Sequence, residues 1–415
     1  MVLYINKASE KYYADYNKDL EIKRDLKVEE VEKGIILPLK AIDYYTDHEI
    51  HLGGVIDENR RFCELSSTHR AGTNFRSLKN GYEINEAPEY KDEVVIYGGV
   101  LYDFYGHVVL ETMARVWYYI KCNPNKYRVV FNFTPGAKGK FKEFFELLDI
   151  PYNDDTFITK PTQYKKVIIP EQASIYAESW HKDYLIPFDY MASKVEAEKY
   201  EKVYFTRTKL VERNPVLGEK PIEKLFERNG FKVFSPERLP LKKQIAIMKG
   251  CKELATVQSS TYHNLLFAKN GTRLISLNRA YEPDYSQHIV DFVRELDYTY
   301  VDISLNPYPV EANYGPWIVG YTDNLINFAK DNNFKLPRKY KTNIITQDQL
   351  KYFYKYWKDS NIKRSFPEED WATAAKTVKV KFQRNFIQNI CRILSYVTIG
   401  RLKNRLIYIS RGGVL

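Results

Sequence analysis

Hydrophobic residues recur with two different periods in the first half of the chain. Three apolar runs have the length and composition of buried strands: EVVIYGG (93–99), YRVVFNF (127–133) and KKVIIP (165–170). Between them, GHVVLETMARVWYYIK (106–121) and KFKEFFELLDI (140–150) repeat apolar residues at helical spacing. Strands that alternate with helices predict an α/β layer with a largely parallel sheet.

The same alternation starts again after residue 200 and is more regular there. Its predicted strands are KVYFTR (202–207), FKVFSPE (231–237), KELATV (252–257) and TRLISL (272–277), and its predicted helices are EKPIEKLFERNG (219–230), LKKQIAIMKG (241–250) and TYHNLLFAKNG (261–271). A helical linker, YMASKVEAEKY (190–200), separates the two units. We therefore expect two Rossmann-like lobes, 1–195 and 201–330, that face each other across a cleft and bind ligands at the carboxyl ends of their strands.

Residues 331–415 are predicted to form a helical extension that ends in a basic tail. From 371 onward there are nine Lys or Arg residues and no Asp or Glu, whereas residues 1–370 hold 54 basic and 53 acidic residues. The tail therefore carries most of the formal net charge of +10. Phe386, Ile390, Ile393, Leu394 and Val397 share one helical face. This pattern is typical of an amphipathic helix on an anionic membrane surface, so residues 378–415 are predicted to bind membranes; packing of the same face on the protein's own core is the alternative.

Composition excludes several classes of protein. The 415 residues are 44% hydrophobic and 28% charged, which is an ordinary globular balance. No apolar run approaches the roughly 20 residues that span a bilayer, and the N-terminus lacks the pattern of a signal peptide. The four cysteines are scattered without a CxxC spacing, so neither a zinc site nor a disulfide framework is indicated. We expect a cytoplasmic protein whose nearly neutral body does not bind nucleic acid.

One candidate catalytic group lies on the helix predicted over 106–121. His107, Glu111 and Arg115 are spaced i, i+4 and i+8, which puts them on one helical face. A histidine and a carboxylate beside a cleft can act as general base and orienting partner, with the arginine holding the carboxylate. An ordinary surface ion-pair ladder has the same spacing. Gly98 and Gly99, just before this helix, permit a ligand to approach the backbone or simply form a turn.

A candidate anion site lies in the second lobe. After strand 252–257, small hydroxyl residues begin a helix, where free backbone N–H groups can bind a phosphate or serve only as an ordinary helix cap. The residues concerned are Ser259, Ser260, Thr261, His263 and Asn264. Arg207 and Arg213 flank the loop after strand 202–207 and carry guanidinium groups that suit phosphate oxygens. There is no Asp-x-Asp sequence, so a metal bridging such a carboxylate pair to a diphosphate is not indicated.

These runs together resemble glycosyltransferase family 61. The run EVVIYGGVLYDFYGHVVLETMARVWYYIK is similar to the signature of the family's N-terminal lobe. The runs VYFTRTKLVER and IEKLFERNGFKVFSPERLPLKKQIAIMKGCKELATVQSSTYHNLLFAKNGTRLISL are similar to that of its C-terminal lobe. The resemblance covers about residues 50–280. Three positions depart from the family pattern: Ser259–Thr261 replace a Gly-small-small stretch, Gly218 stands where Asn is common, and Glu111 where Asp is frequent.

The resemblance implies a GT-B-like enzyme whose C-terminal lobe holds a nucleotide-sugar donor, expected to be a UDP-sugar, and whose N-terminal lobe holds the acceptor. Such enzymes invert the anomeric centre and need neither a metal nor another cofactor. The catalytic base is assigned to Glu111, with His107 as the alternative. Gly98, Gly99 and Arg115 would lie on the acceptor side or support it.

The donor diphosphate is assigned to Arg207, Arg213 and the helix start at 259–264. Glu237 is expected to meet the ribose, and Gln244 to support its loop. With the basic tail, the implied acceptor is a lipid-linked surface polysaccharide such as capsule or O-antigen, built on the inner face of the cell membrane. Two other functions remain open: a non-catalytic sugar- or nucleotide-binding component of an assembly complex, and nucleic-acid binding through the tail.

Overall fold

The structure is a computed structural model. It describes residues 1–13, 20–45, 48–70, 76–210, 215–280, 284–306, 310, 315–338, 352–353, 355–356 and 390. Most of the predicted helical extension 331–415, including the predicted membrane-binding tail 378–415, therefore lies outside the described residues.

The strands and helices follow one another in mixed order along the chain. The strands are β1 (Val2–Tyr4), β2 (Val28–Glu32), β3 (Ile35–Tyr45), β4 (His48–Ile56), β5 (Thr68–His69), β6 (Arg76–Asn80), β7 (Glu89–Leu101), β8 (Arg128–Phe133), β9 (Thr162–Pro170), β10 (Ser174–Ile175), β11 (Ser179–Trp180), β12 (Tyr200–Phe205), β13 (Val216–Leu217), β14 (Lys232–Phe234), β15 (Cys251–Val257), β16 (Arg273–Asn278), β17 (Asp297–Asp302) and β18 (Trp317–Ile318).

The α-helices are α1 (Lys7–Tyr13), α2 (Tyr105–Leu110), α3 (Val116–Lys121), α4 (Lys142–Leu147), α5 (Ile186–Ser193), α6 (Glu219–Arg228), α7 (Leu241–Gly250), α8 (Tyr285–Val293) and α9 (Asp323–Asp331). Short 3-10 helices occupy Glu64–Ser66, Thr112–Arg115, Asp154–Thr156, Lys182–Leu185, Pro236–Arg238 and Ser260–Phe267. This mixed content confirms the α/β class predicted from the sequence.

The first sheet has the strand order β5-β6-β4-β3-β9-β7-β8, with β2 paired to β9. Strand β7 is parallel to both β8 and β9, whereas β3 pairs antiparallel with β4 and β9. Strand β7 lies between β8 and β9, which both follow it in the chain, so the strand order reverses at β7. Ligands bind at such a reversal, outside the carboxyl ends of the strands. The chain leaves β7 at Leu101 and enters α2, so α2 begins at this point.

The second sheet has the order β1-β17-β16-β15-β12-β14 and is parallel throughout the described residues. Its order reverses between β12 and β15, which predicts a binding crevice at the carboxyl ends of those two strands. Successive side chains of β12 point to opposite faces, as buried strands require: Phe205 packs with α7, and Tyr204 packs with α6. The second unit is therefore a parallel sheet with helices on both faces.

The largest hydrophobic core is continuous between the two sheets. It includes Ile96 and Phe131 of the first sheet, Phe188 of the helical layer, and Val203 and Leu254 of the second sheet. The helices between the sheets thus belong to one shared core. This shared core holds α2 against the second unit, and the candidate site lies at the start of α2.

Three sequence-based boundaries differ from the structure. The helix predicted over 106–121 is interrupted, because Glu111 has φ −121° and ψ −47° and a 3-10 turn follows it. The segment predicted as the helix 261–271 is instead the 3-10 helix Ser260–Phe267. Strand β7 does not end at its two glycines but continues to Leu101. Apolar periodicity does not distinguish α from 3-10 turns, and this explains the first two differences.

The amino-terminal segment lies with the second sheet, although the sequence-based division assigned residues 1–195 to the first lobe. Strand β1 pairs with β17, and Asp302 at the end of β17 accepts hydrogen bonds from the Asn6 backbone N–H and the Ser9 hydroxyl. A three-residue strand carries too little periodic signal to reveal a partner almost 300 residues away. Within the part of the chain that the structure describes, no helix is long and apolar enough to span a membrane.

Candidate active site

Glu111 stands at the break between α2 and the following 3-10 turn and is almost completely buried. Its Oε2 atom forms a hydrogen bond with Nδ1 of His107, and its Oε1 atom accepts the Nε–H of Arg70 at 2.5 Å. The side chain of Glu111 is 0% exposed, whereas that of His107 is 25% exposed. A ligand in the crevice can therefore reach the imidazole but not the carboxylate.

The charge of Glu111 is fixed by its two partners. Burial alone would raise the pKa of this carboxyl, but Arg70 and His107 outweigh it and lower the pKa to about 2. The same ion pair raises the pKa of Arg70, although burial opposes this. Glu111 is thus an ionised carboxylate at neutral pH, with both oxygens occupied by positive or hydrogen-bonding groups.

Arg115 does not hold Glu111, contrary to the expectation from its spacing. The interruption at Glu111 turns Arg115 to another side, where its guanidinium donates to the carbonyl oxygens of Pro170 and, at 2.6 Å, Ser67. These bonds tie the end of β9 to the segment before Arg70. Sequence spacing identified His107 and Glu111 as neighbours but missed Arg70, which lies 41 residues before Glu111 and has no periodic relation to it.

Gly98 and Gly99 lie inside β7 and serve packing, not the approach of a ligand. A Cβ atom on Gly98 would come within 2.3 Å of the Phe131 ring. Gly99 has φ +87°, and a Cβ atom there would lie 3.1 Å from Cδ of Arg115. The two glycines are therefore required by the close contact between β7 and its neighbours.

Aromatic rings surround the imidazole of His107. The ring centroids of Tyr102, Tyr176 and Phe104 lie 5.5, 5.8 and 6.2 Å from that of His107. Phe104 is 43% exposed, so its ring is accessible beside His107. Burial raises the pKa of Tyr176, and Ser286 of α8 is close enough to oppose this shift. Tyr176 thereby connects the surroundings of His107 to the second unit.

The second half of the site lies at the carboxyl ends of β12, β15 and β16. Arg207 follows β12, and its buried Nε atom has no hydrogen-bond partner among the described residues. Arg279 follows β16, and its guanidinium lies 3.5 Å from the ring centroid of Trp317. Burial lowers the pKa of both arginines, and for Arg279 the charge of Arg207 lowers it further. Two neighbouring buried guanidinium groups form a region of high positive potential that suits a dianion. The sequence analysis did not identify Arg279.

Glu219 lies beside Arg207 and is 1% exposed. Its carboxylate accepts hydrogen bonds from the Arg207 backbone N–H at 2.9 Å and from the Tyr204 hydroxyl at 3.1 Å. Burial nevertheless raises its pKa to about 7. The preceding Gly218 has φ +90°, and a Cβ atom there would come within 2.2 Å of the Val319 carbonyl oxygen. This contact explains why glycine stands where Asn is common in the family pattern.

Most hydrophilic side chains of the 259–264 segment are already engaged within the protein. The Ser259 hydroxyl donates to the Val257 carbonyl at 3.1 Å and lies 2.8 Å from that of Thr261. His263 is buried, with Nδ1 at 2.9 Å from Oε1 of Gln287, and burial lowers its pKa. Anion binding at this corner, including at Ser260, would therefore use backbone N–H groups more than these side chains.

The loop that carries Glu237 is held from α7. Gln244 donates through Nε2 to the carbonyl oxygens of Pro236 at 3.0 Å and Leu239 at 2.9 Å. Burial lowers the pKa of the Arg207 guanidinium, and the Glu237 carboxylate is close enough to oppose part of this shift. Arg213 lies outside the described residues.

The two halves of the site are in direct contact. A Cβ atom on Gly106 would lie 3.2 Å from Cβ of Ser260, and the charge of His107 lowers the pKa of His263. The described residues contain no group of three or more His, Cys, Asp or Glu side chains that could hold a metal ion. The arrangement thus combines an accessible imidazole on one side with two neighbouring guanidinium groups on the other.

Comparison with known protein families identifies a match that includes residues of both halves of the site. The family described as Glycosyltransferase 61 matches residues 105–275. No curated protein matches the chain. The matched segment begins at Tyr105, includes His107, Glu111 and Arg207, and ends within β16, so it contains residues from both halves of the site. Over residues 105–275, the chain is therefore similar to the glycosyltransferases of family 61.

Proposed function

We propose that the protein is an inverting, metal-independent glycosyltransferase that moves a sugar from a nucleotide-sugar donor, a UDP-sugar, to a surface polysaccharide. One observation carries the proposal: the accessible His107, oriented by a buried Glu111–Arg70 pair, belongs to a helix that touches the strand-end corner beside Arg207 and Arg279. This is the pairing of a base and an anion site that transfer to a hydroxyl requires.

His107 acts as the general base. Nδ1 of His107 is bonded to Glu111, which leaves Nε2 without a hydrogen-bond partner among the described residues. Nε2 takes the proton of the acceptor hydroxyl while the hydroxyl oxygen forms a bond to the anomeric carbon. Glu111 then stabilises the imidazolium, in the role of the carboxylate of a catalytic dyad. With its pKa near 2, Glu111 is itself too weak a base for this step.

The leaving group departs towards the second unit. As the acceptor oxygen attacks, the bond between the anomeric carbon and the diphosphate oxygen breaks, and its electron pair stays on the diphosphate. Arg207 and Arg279 stabilise the developing charge, together with backbone N–H groups at the start of the 3-10 helix Ser260–Phe267. In this proposal two guanidinium groups supply the positive charge that a divalent cation supplies in other transferases.

The proposed organisation is that of a GT-B enzyme, with an acceptor-side lobe that ends at residue 195, a donor-side lobe from 201 to 330 to which the amino-terminal strand β1 is added, and a tail-bearing extension from 331 to 415. The reversal of strand order beside β7 and between β12 and β15 supports a Rossmann-like role for both units. In the donor lobe Glu237 meets the ribose, and its loop is supported by Gln244.

The proposed acceptor is a lipid-linked glycan such as capsule or O-antigen on the inner face of the cell membrane. Phe104 supports a sugar acceptor, because an exposed ring beside the base offers a stacking surface for a pyranose. The basic tail 378–415 supports a membrane location, since clusters of Lys and Arg are attracted to anionic lipids.

A transfer assay tests this function. The purified full-length chain is incubated in EDTA with individual nucleotide sugars and lipid-linked acceptors, and the anomeric configuration of the product is read by NMR. Product of inverted configuration in wild type, and none with His107→Ala, is expected. A strict requirement for Mg²⁺ or Mn²⁺, or a retained configuration, would contradict the proposal. Donor binding without transfer to any acceptor would favour the non-catalytic alternative.

A further inference from the structure

The sequence assigned Asn264 to donor binding and Gln244 to support of the Glu237 loop, and the structure joins these two side chains to each other within the protein. The Tyr105 hydroxyl donates to Oδ1 of Asn264, and Nδ2 of Asn264 donates to Oε1 of Gln244 at 2.7 Å. Asn264 is 0% exposed. A donor molecule therefore has no free access to this amide.

The hydrogen bonds continue in one direction through the site. After Asn264, Gln244 donates through Nε2 to the carbonyl oxygens of Pro236 and Leu239, which enclose Glu237. At the other end, Tyr105 is the first residue of α2, and His107 follows two residues later. An unbroken series of hydrogen bonds thus joins the helix of the proposed base to the loop beside Arg207.

We propose that Asn264 and Gln244 are positioning residues that couple the donor-side loop to the catalytic imidazole. This inference rests on the proposed function. When the diphosphate and ribose settle against the 236–239 loop, the series Tyr105–Asn264–Gln244 fixes the start of α2 and with it the orientation of His107. Each amide accepts through its oxygen and donates through its nitrogen, so neither can flip without breaking its links on both sides.

The geometry has a second support in the packing around Tyr105. The phenol is buried against Phe144, with ring centroids 6.0 Å apart, and burial raises its pKa. Its helix contacts the 3-10 helix Ser260–Phe267, which carries Asn264. The Tyr105 hydroxyl bonds directly to Asn264 of the other unit, with no water layer between them. A displacement of Asn264 therefore moves Tyr105 and the start of α2.

Hydrogen exchange by mass spectrometry on the full chain tests the coupling without requiring activity. Tyr105→Phe removes only the first link and leaves the ring in place. In this variant we expect faster exchange both in segment 105–110 and in segment 236–241. Gln244→Met removes links at the opposite end of the series and should speed exchange in the same two segments. Asn270→Ala and Gln163→Ala are matched controls, since these exposed amides bond only Glu295 and the Lys33 carbonyl among the described residues. Changes confined to the mutated side in both variants would overturn the proposal.

Kinetics then separate positioning from a merely structural role. Tyr105→Phe and Gln244→Met should each lower kcat about 5- to 30-fold and leave the KM for the donor within about twofold of the wild-type value. The melting temperature of each variant should stay within a few degrees of that of the wild type. The double variant Tyr105→Phe/Gln244→Met should cost no more than the worse single variant, because one broken link already uncouples the series. Additive losses would contradict the coupling. If wild type transfers no sugar at all, the proposed function fails, and the exchange experiment still decides whether the two segments are linked.

Discussion

Arg70 donates its Nε–H to Oε1 of Glu111 at 2.5 Å, and both side chains are almost fully buried. A carboxylate held by a buried guanidinium is a poor proton acceptor, so this pair favours His107 over Glu111 as the proposed base. The Glu111 carboxylate is better suited to orient His107 and to balance the charge that His107 gains.

The first prediction separates the base from its partner. His107→Asn should lower kcat by about 10²–10⁴, the usual contribution of a general base, with little change in donor affinity. Glu111→Gln should cost less, since a neutral amide still accepts a hydrogen bond from Nδ1. Single-turnover rates with saturating donor measure both. A larger loss in Glu111→Gln would show that the carboxylate is the base.

The second prediction concerns stability in acid. The folded pKa of Glu111 is about 2, below its ordinary value of 4.5. Its ionised form therefore stabilises the fold fully above pH 4.5, and this contribution disappears as the pH falls towards 2. By linkage, the loss is about 3 kcal/mol.

Denaturant unfolding between pH 6 and pH 2.5 gives the measurement. Glu111→Gln is less stable throughout, because it leaves Arg70 buried without a counter-charge, but its free energy of unfolding should fall less steeply with acid. Parallel curves for the two proteins would be inconsistent with the depressed pKa.

The third prediction concerns the tail, for which the charge pattern in the sequence is the support. The full chain should float with vesicles that contain anionic lipid, and a chain without residues 378–415 should not. Binding should weaken as salt is raised, because the attraction of Lys and Arg to the membrane surface is screened. Loss of the folded state on deletion would instead favour packing of the helix on the protein's own core.

Local pattern predicted much of the fold. Strands such as β8 and β9 and helices such as α7 were identified because apolar period and turn residues are local properties. The site was predicted only in part. His107 and Glu111 are one helical turn apart, so their spacing predicted that they are neighbours. Arg70 and Arg279 are brought to the site by the order of strands in the sheets, which no local sequence pattern reveals. The break at Glu111, which removes Arg115 from the site, depends on tertiary hydrogen bonds that a helical pattern cannot express.

The fourth prediction uses the raised pKa of Glu219. Because burial raises its folded pKa to about 7 from the ordinary 4.5, Glu219 is largely protonated at pH 6 and largely ionised at pH 8. Ionisation adds a negative charge next to Arg207 and so opposes a diphosphate. The Kd for a UDP-sugar should rise about 3- to 10-fold from pH 6 to pH 8, a range in which the diphosphate diester itself does not titrate. Glu219→Gln should flatten this dependence; an unchanged pH profile in that variant would exclude Glu219 as the cause.

The fifth prediction tests the two arginines as the diphosphate site. Arg207→Gln and Arg279→Gln should each weaken binding of a UDP-sugar by about 1.5–3 kcal/mol, which is about 10- to 150-fold in Kd, because each removes charge-assisted hydrogen bonds in a site shielded from water. Arg279→Lys should recover only part of this loss, since lysine keeps the charge but neither the planar guanidinium nor its stacking on Trp317.

Arg273→Gln provides the matched control for the arginine variants. Arg273 begins β16, whereas Arg279 directly follows the same strand, so the two arginines lie at opposite ends of one strand. Arg273 is engaged with Glu253 and Asn332 and should leave the Kd unchanged. Calorimetric titration in EDTA measures all four variants. If Arg279→Gln binds the donor as wild type does while Arg207→Gln does not, Arg279 serves only to pack against Trp317, and the diphosphate is held by Arg207 and the backbone of the 259–264 corner.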